Sequence, residues 1–109
     1  MTNITKDQFW SVLNEPEPVI TITNKYNIYR WYNDQSQIHR ENDLPAVIWY
    51  HEDGSVFKKC WYQNGQEHRE NDLPGEIFFR YNGEVMIERW VMYGKYTRQQ
   101  IYLKSSLTN

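Results

Sequence analysis

From Val19 onward, short runs rich in β-branched and aromatic residues alternate with tight-turn dipeptides, the pattern of strands joined by hairpins. Asp53-Gly54, Asn64-Gly65 and Asn82-Gly83 each accept the positive φ angles of a type I′ turn, so two-residue loops there would fix which residues face each other. Counting outward from Asn64-Gly65 sets Gln63 opposite Gln66, Tyr62 opposite Glu67 and Trp61 opposite His68. The same count about Asp53-Gly54 sets Tyr50 opposite Phe57, Ile48 opposite Lys59 and Ala46 opposite Trp61. Alternation then divides the strands into two faces. One, the expected core face, collects Tyr29, Trp31, Ile48, Tyr50, Phe57, Trp61, Ile77, Phe79, Met86 and Trp90. The other collects Val47, Trp49, Val56, Phe78, Val85 and Ile87 with every arginine of the chain: Arg30, Arg40, Arg69, Arg80, Arg89 and Arg98.

Ahead of the strands the pattern changes to a helical period. Thr5-Lys6-Asp7-Gln8 has the spacing of a capping box, Phe9, Trp10, Val12 and Leu13 follow at helical spacing, and Glu15-Pro16-Glu17-Pro18 stops the segment. A short helix over 5–15 is expected, capping the open end of the sheet.

The strand pattern is periodic on a longer scale. His39-Arg40-Glu41-Asn42-Asp43-Leu44-Pro45 returns unchanged 29 positions later as His68-Arg69-Glu70-Asn71-Asp72-Leu73-Pro74. Gly54 and Gly83, Trp61 and Trp90, and Arg69 and Arg98 keep the same spacing. A fixed period of this length is the signature of a repeat architecture. Three units are expected, over 19–45, 46–74 and 75–103, with a tail at 104–109. The first absorbs one extra residue in a three-residue loop, Asp34-Gln35-Ser36, which restores Trp31 opposite His39. In the third, Thr97-Arg98-Gln99-Gln100 replaces the heptapeptide start and no Leu-Pro follows, as in a terminal repeat. The small residue after each Leu-Pro, Ala46 or Gly75, is expected to make room for Trp61 or Trp90. The fold class is therefore mainly β: an antiparallel β-hairpin repeat in one domain, 1–109.

Composition sharpens this reading in few places. Aromatic residues make up 17% of the 109-residue chain, which favours large cross-strand contacts over a small-residue core. A net charge of −2, with acids in the turns, argues against nucleic acid as a partner. The single cysteine, Cys60, excludes an intramolecular disulfide framework. No basic-flanked apolar leader and no apolar run of membrane-spanning length is present, so an intracellular protein is expected.

Candidate chemistry is sparse. His39 and His68 sit at equivalent places in successive units, too far apart to converge on one zinc, and are expected to pack on Trp31 and Trp61. The sequence carries no P-loop, dinucleotide fingerprint or nucleophile elbow. A duplicated motif also argues against a unique catalytic constellation, so neither an enzyme nor a cofactor is expected. Arg40 with Asp43 and Arg69 with Asp72 are expected to pair within their own loops. Trp49, Phe78, Arg40, Arg69, Arg80, Arg89 and Arg98 combine arginine with aromatic residues, the composition of an interface core, and are the candidate interaction residues. The repeat motif itself is Trp31, His39, Leu44, Pro45, Trp61, His68, Leu73, Pro74 and Trp90. Large apolar residues on both faces and an open edge near the C-terminus point to a homodimer.

The order Trp, Gly, His-Arg, Leu-Pro-Ala/Gly, strand, Asp/Asn-Gly over residues 24–98 resembles the variant MORN repeats of large DNA viruses of amoebae, Marseillevirus-like ones included. The unit here is longer than an ordinary MORN repeat, and Arg40 or Arg69 stands where that family has glycine after the histidine. The resemblance implies a β-hairpin solenoid that serves protein–protein or membrane-proximal association in an infected host cell, and a non-enzymatic interaction or scaffolding module in the host cytoplasm or viral factory is expected. A peripheral binder of acidic lipids through the arginine face is the alternative.

Overall fold

A computed structural model of the protein describes Trp10 and residues 15–104. The expected helix over 5–15 lies outside the described residues except at Trp10 and Glu15. There Trp10 is helical and its carbonyl accepts the Glu15 N–H at 3.0 Å. The rest is mainly β. The strands are β1 (Val19–Ile22), β2 (Tyr26–Arg30), β3 (Val47–His51), β4 (Val56–Cys60), β5 (Tyr62–Gln63), β6 (Gln66–Glu67), β7 (Glu76–Phe79), β8 (Val85–Met92) and β9 (Lys95–Ile101). Seven of them form one antiparallel sheet in the order β1-β2-β3-β4-β7-β8-β9, and β5 pairs with β6 in a separate ribbon.

The Asn64-Gly65 turn forms as expected. Asn64 (φ 50°) and Gly65 (φ 84°) are both left-handed, Tyr62 pairs with Glu67, and His68 N–H donates to Trp61 O. Tyr93-Gly94 forms the same kind of turn, which the sequence pattern did not signal because a bulky Tyr occupies a left-handed position (φ 48°). The loop at Asp34-Gln35-Ser36 also forms as expected, with Asn33 N–H bonded to Gln37 O and His39 N–H to Trp31 O.

Two turns depart from expectation. Only Gly54 and Gly83 are left-handed in theirs, and Asp53 and Asn82 are not. Each loop is therefore three residues long, a type I turn closed by a left-handed glycine. His51 N–H donates to Ser55 O and Arg80 N–H to Glu84 O. The acid or amide side chain stabilises this form: Asp53 Oδ1 accepts both the Ser55 N–H and hydroxyl, and Asn82 Oδ1 accepts the Glu84 N–H. A one-residue bulge then compensates in each hairpin. Ile48 pairs with Lys59 as counted, but Tyr50 pairs with Val56, and Phe79 with Val85. Phe57 and Met86 are the extra residues, so Val56 with Phe57 and Val85 with Met86 exchange faces relative to strict alternation.

The packing corrects the face assignment as well. Ile28, Val47 and Cys60 form the buried cluster, with Tyr26, Ile38, Trp49 and Tyr62 against it, so the face expected to lie outward carries a core of its own. Ile38 and Tyr62 come from the short hairpins, which lean over that side of the sheet. Trp31, Ile48 and Trp61 are buried too. Ala46 is fully buried, but at Gly75 the close neighbour is Val91 rather than the Trp90 indole: a Cβ there would lie 3.2 Å from Val91 Cβ.

Gly75→Ala is accordingly expected to destabilise the fold by about 1–3 kcal/mol through overpacking. In a Val91→Ala background the loss should be smaller. Denaturant melts of the four members of this cycle measure the coupling to the Val91 Cγ2 methyl, 3.3 Å from the new Cβ, and equal losses in both backgrounds would show that this methyl carries none of the strain.

Candidate functional site

The repeated heptapeptide builds a clasp between neighbouring units. Asn42 (φ 63°) with Asp43 (φ 55°), and Asn71 (φ 64°) with Asp72 (φ 55°), are consecutive left-handed pairs. The Leu44 and Leu73 N–H groups close these turns onto the Glu41 and Glu70 carbonyls. Asn and Asp tolerate this conformation better than other non-glycine residues. The turn aims Asp43 away from its own unit. Asp43 O accepts the Trp61 indole N–H at 3.0 Å, and the Asp43 carboxylate accepts two bonds from Arg69, from Nε at 3.0 Å and Nη2 at 3.1 Å. The Arg69 guanidinium lies 3.8 Å from the centre of the Trp61 ring, and its Nη1 donates to Pro74 O at 2.9 Å.

This geometry recurs with the same 3.8 Å stacking at Arg98 over Trp90 and Arg40 over Trp31. Trp90 Nε1 donates to Asp72 O, and Arg98 pairs with the Asp72 carboxylate at 3.5 Å. At the N-terminal end Glu15-Pro16 takes the place of the preceding loop: Pro16 O accepts the Trp31 indole N–H and Glu15 accepts Arg40 at 3.2 Å. The expected pairings within one loop, Arg40 with Asp43 and Arg69 with Asp72, are thus replaced by pairings to the preceding segment. An arginine beside its own loop cannot both stack on its tryptophan and turn back to its own aspartate.

The histidines form a second link. Asn64 N–H donates to His39 Nδ1 at 3.0 Å and Tyr93 N–H to His68 Nδ1 at 2.9 Å, so the ring proton sits on Nε2. From there it reaches Glu41 Oε1 at 2.8 Å and Glu70 Oε1 at 2.6 Å. Each histidine therefore captures the turn of the following short hairpin, alongside Gly65 N–H to Ile38 O and Gly94 N–H to Glu67 O. The expected packing of the histidines on tryptophan misses these bonds. Pro45 and Pro74 are buried, Leu44 is half-buried and Leu73 is exposed.

The seven candidate interaction residues separate into two groups of three, with Arg80 apart from both. Arg40 and Arg69 belong to the clasps, with only 11% and 14% of their side chains exposed; Arg98, at 54%, holds the most open clasp. Trp49, Phe78 and Arg89 share the sheet face that carries the Ile28, Val47 and Cys60 cluster. Lys58 Nζ lies 5.6 Å from the Trp49 ring and 4.9 Å from the Phe78 ring, and Arg89 lies 5.4 Å from Phe78. Arg80 donates to Tyr102 O at 2.7 Å. Beneath them Glu76 is buried and paired with Lys58 at 3.4 Å and Arg89 at 3.0 Å. Cys60 and Glu67 have their ligating atoms within 4.8 Å of it. Burial pushes the Cys60 thiol up to about 12, so it stays protonated, and two cations already match Glu76. The chemistry is that of a buried ion-pair network. Burial also raises the Glu67 carboxyl, helped by the negative Glu76 and opposed by the Tyr96 hydroxyl that bonds it at 2.9 Å.

Beside this network the same face opens into a groove of about 570 Å³, lined by Tyr26, His51, Phe57, Phe79, Tyr81, Asn82 and Met86 with Lys25, Arg80 and Lys104 around them. Phe57 stacks on Tyr26 at 5.0 Å, and His51 stacks on Tyr81 at 4.1 Å. Strict alternation hid this site, because the two bulges bring Phe57 and Met86 onto it. Comparison with protein-family models, curated proteins and solved structures finds no match, so the functional reading rests on this geometry.

Trp61→Ala should cost about 3–5 kcal/mol, the range for deleting a buried large aromatic, since it removes the platform for Arg69 and the bond to Asp43. Trp90→Ala should cost less, because its clasp is open to water. Chemical denaturation ranks them, and a larger loss at Trp90 would contradict the clasp. Glu67 has a folded-state pKa above its unfolded one, so its ionised form costs stability at neutral pH. That cost fades as pH falls through the raised folded pKa. Glu67→Gln, which keeps an acceptor for Tyr96, should therefore raise the thermal midpoint at pH 7, with the gain shrinking toward pH 4; no gain at pH 7 would count against the burial effect.

Proposed function

We propose that this chain is a non-enzymatic interaction or scaffolding module, a MORN-like hairpin solenoid whose groove takes an acidic peptide segment carrying an apolar side chain. What supports the solenoid reading is the recurrence of one clasp at three successive places in the chain. The observation that carries the binding reading is the groove: a floor of Tyr26, Phe57, Tyr81 and Met86 under a rim of Lys25, Arg80 and Lys104. An aromatic floor favours an inserted apolar side chain, and cations at the rim favour acidic flanks, which set register and rate of association. As the resemblance implies, the module works as a viral protein in the infected host cell, in the cytoplasm or viral factory. The lipid alternative relies on free arginines, whereas Arg40 and Arg69 are spent on internal acceptors.

The test is fluorescence anisotropy with labelled peptides that alternate Glu with Phe or Leu, their Gln-substituted counterparts, and vesicles with and without anionic lipid. The acidic peptides should bind, weaken as salt rises, and lose at least tenfold in affinity on Tyr81→Glu with Lys104→Glu, circular dichroism staying unchanged. Equal binding of the Gln peptides would overturn the charge assignment, and tight binding to anionic vesicles alone would establish the lipid alternative.

A further inference from the structure

The third unit ends differently from the second, and the difference lies in how the chain returns to the sheet. After Arg69 the chain makes the Glu70–Gly75 loop before Glu76, Ile77 and Phe78 pair with Cys60, Lys59 and Lys58. After Arg98 the loop is missing, and Gln99, Gln100 and Ile101 pair at once with Arg89, Glu88 and Ile87. These β8 residues lie 29 positions beyond Cys60, Lys59 and Lys58. The end of β9 thus holds the place in the sheet that β7 holds in the preceding unit. On the far side of β7 lies β8; on the far side of β9 no strand is found among the described residues.

That edge lacks the devices that keep edges apart, such as proline or inward charge. Gln99-Gln100-Ile101-Tyr102-Leu103 carries no charge, no proline and no glycine, and all of β9 is exposed, Ile101 at 53%, as is Leu103 beyond it at 89%. The backbone direction is set by Tyr102 N–H, which donates inward to Met86 O. By alternation Gln100 also points inward, whereas Gln99, Ile101 and Leu103 present N–H and C=O outward, the Ile101 C=O also accepting from the Gln100 side-chain Nε2 at 3.2 Å.

We propose that a second copy of this chain pairs with β9 edge to edge, antiparallel about a two-fold axis at Gln100, to make one continuous sheet across the dimer. In this register Gln100 faces Gln100 of the other copy, Gln99 faces Ile101, and Arg98 faces Tyr102. No like charges oppose each other, whereas an axis at Ile101 would set Arg98 against Lys104. The occupant is a second copy because the run is self-complementary, and the two-fold closes the assembly. β1 offers only four residues, directly after Pro18, and β1-to-β9 pairing would leave a free edge at each end and polymerise. The inference is independent of what the groove binds.

Gln100 pairs with its mate without outward hydrogen bonds, so the two Cα atoms should approach to roughly 4.5 Å, within the range that a disulfide spans. The test uses the full chain. Light scattering at tens of micromolar should give a dimer mass, and Gln100→Cys should cross-link quantitatively under mild oxidation while Glu52→Cys, in an exposed turn, does not. Ile101→Pro removes an outward donor without taking a bond from β8, and should give a monomer with unchanged circular dichroism. A monomeric parent, a polymer, or a dimer in which Gln100→Cys fails to cross-link would overturn the proposal, independently of whether Ile101→Pro folds.

Discussion

The structure depends on one interaction, the stacking of an arginine on a tryptophan while both reach for the same preceding loop. A short hairpin cannot bury enough surface to be stable alone. The clasp lets each unit use its neighbour: the indole N–H and the guanidinium both end on Asp43, or on its counterparts Asp72 and Glu15-Pro16. The stacked arginine also bonds a proline carbonyl beyond its own loop, Pro45 O or Pro74 O. One side chain thus ties an aromatic ring, an acid of the previous segment and the entry to the next strand.

The clasp explains the unchanged repetition of the heptapeptide. Asn-Asp supplies the left-handed pair that turns the acid outward, arginine supplies the planar fork for it, and Leu-Pro leads the chain into the next strand. Histidine accepts the backbone N–H of the following turn at Nδ1 and donates its Nε2–H to the glutamate two residues on. Buried polar groups made in this way are satisfied throughout, with no orphaned buried side-chain atom among the described residues. Where the heptapeptide lapses, at Thr97, the histidine link has no successor, and the chain turns straight into an edge strand.

The sheet face around Glu76 obeys a different constraint. It holds the acids Glu67 and Glu76 under partial or full burial, and Lys58 and Arg89 are drawn onto Glu76 and over Phe78 at once. Cations that serve an acid and an aromatic ring together leave the neighbouring groove apolar at its floor and positive at its rim. The proposed binding surfaces are that groove and the β9 edge, since Arg40, Arg69 and Arg98 are committed to holding the units together.

The sequence by itself determined the period of 29, the turn at Asn64-Gly65, the three-residue loop of the first unit and the mainly β class, because each follows from local conformational preference or from counting. It also marked Trp31, Trp61 and Trp90 as equivalent. Only the tertiary structure decided the partner of each arginine, because pairing across units depends on the direction an Asn-Asp turn gives to a side chain. It alone decided the faces of Val56, Phe57, Val85 and Met86 as well. A glycine after Asp or Asn suits either a two-residue turn or a three-residue loop, and the choice rests on whether Asp53 and Asn82 bond Ser55 and Glu84. That single local choice adds a bulge to each hairpin, and the bulge places Phe57 and Met86 in the groove.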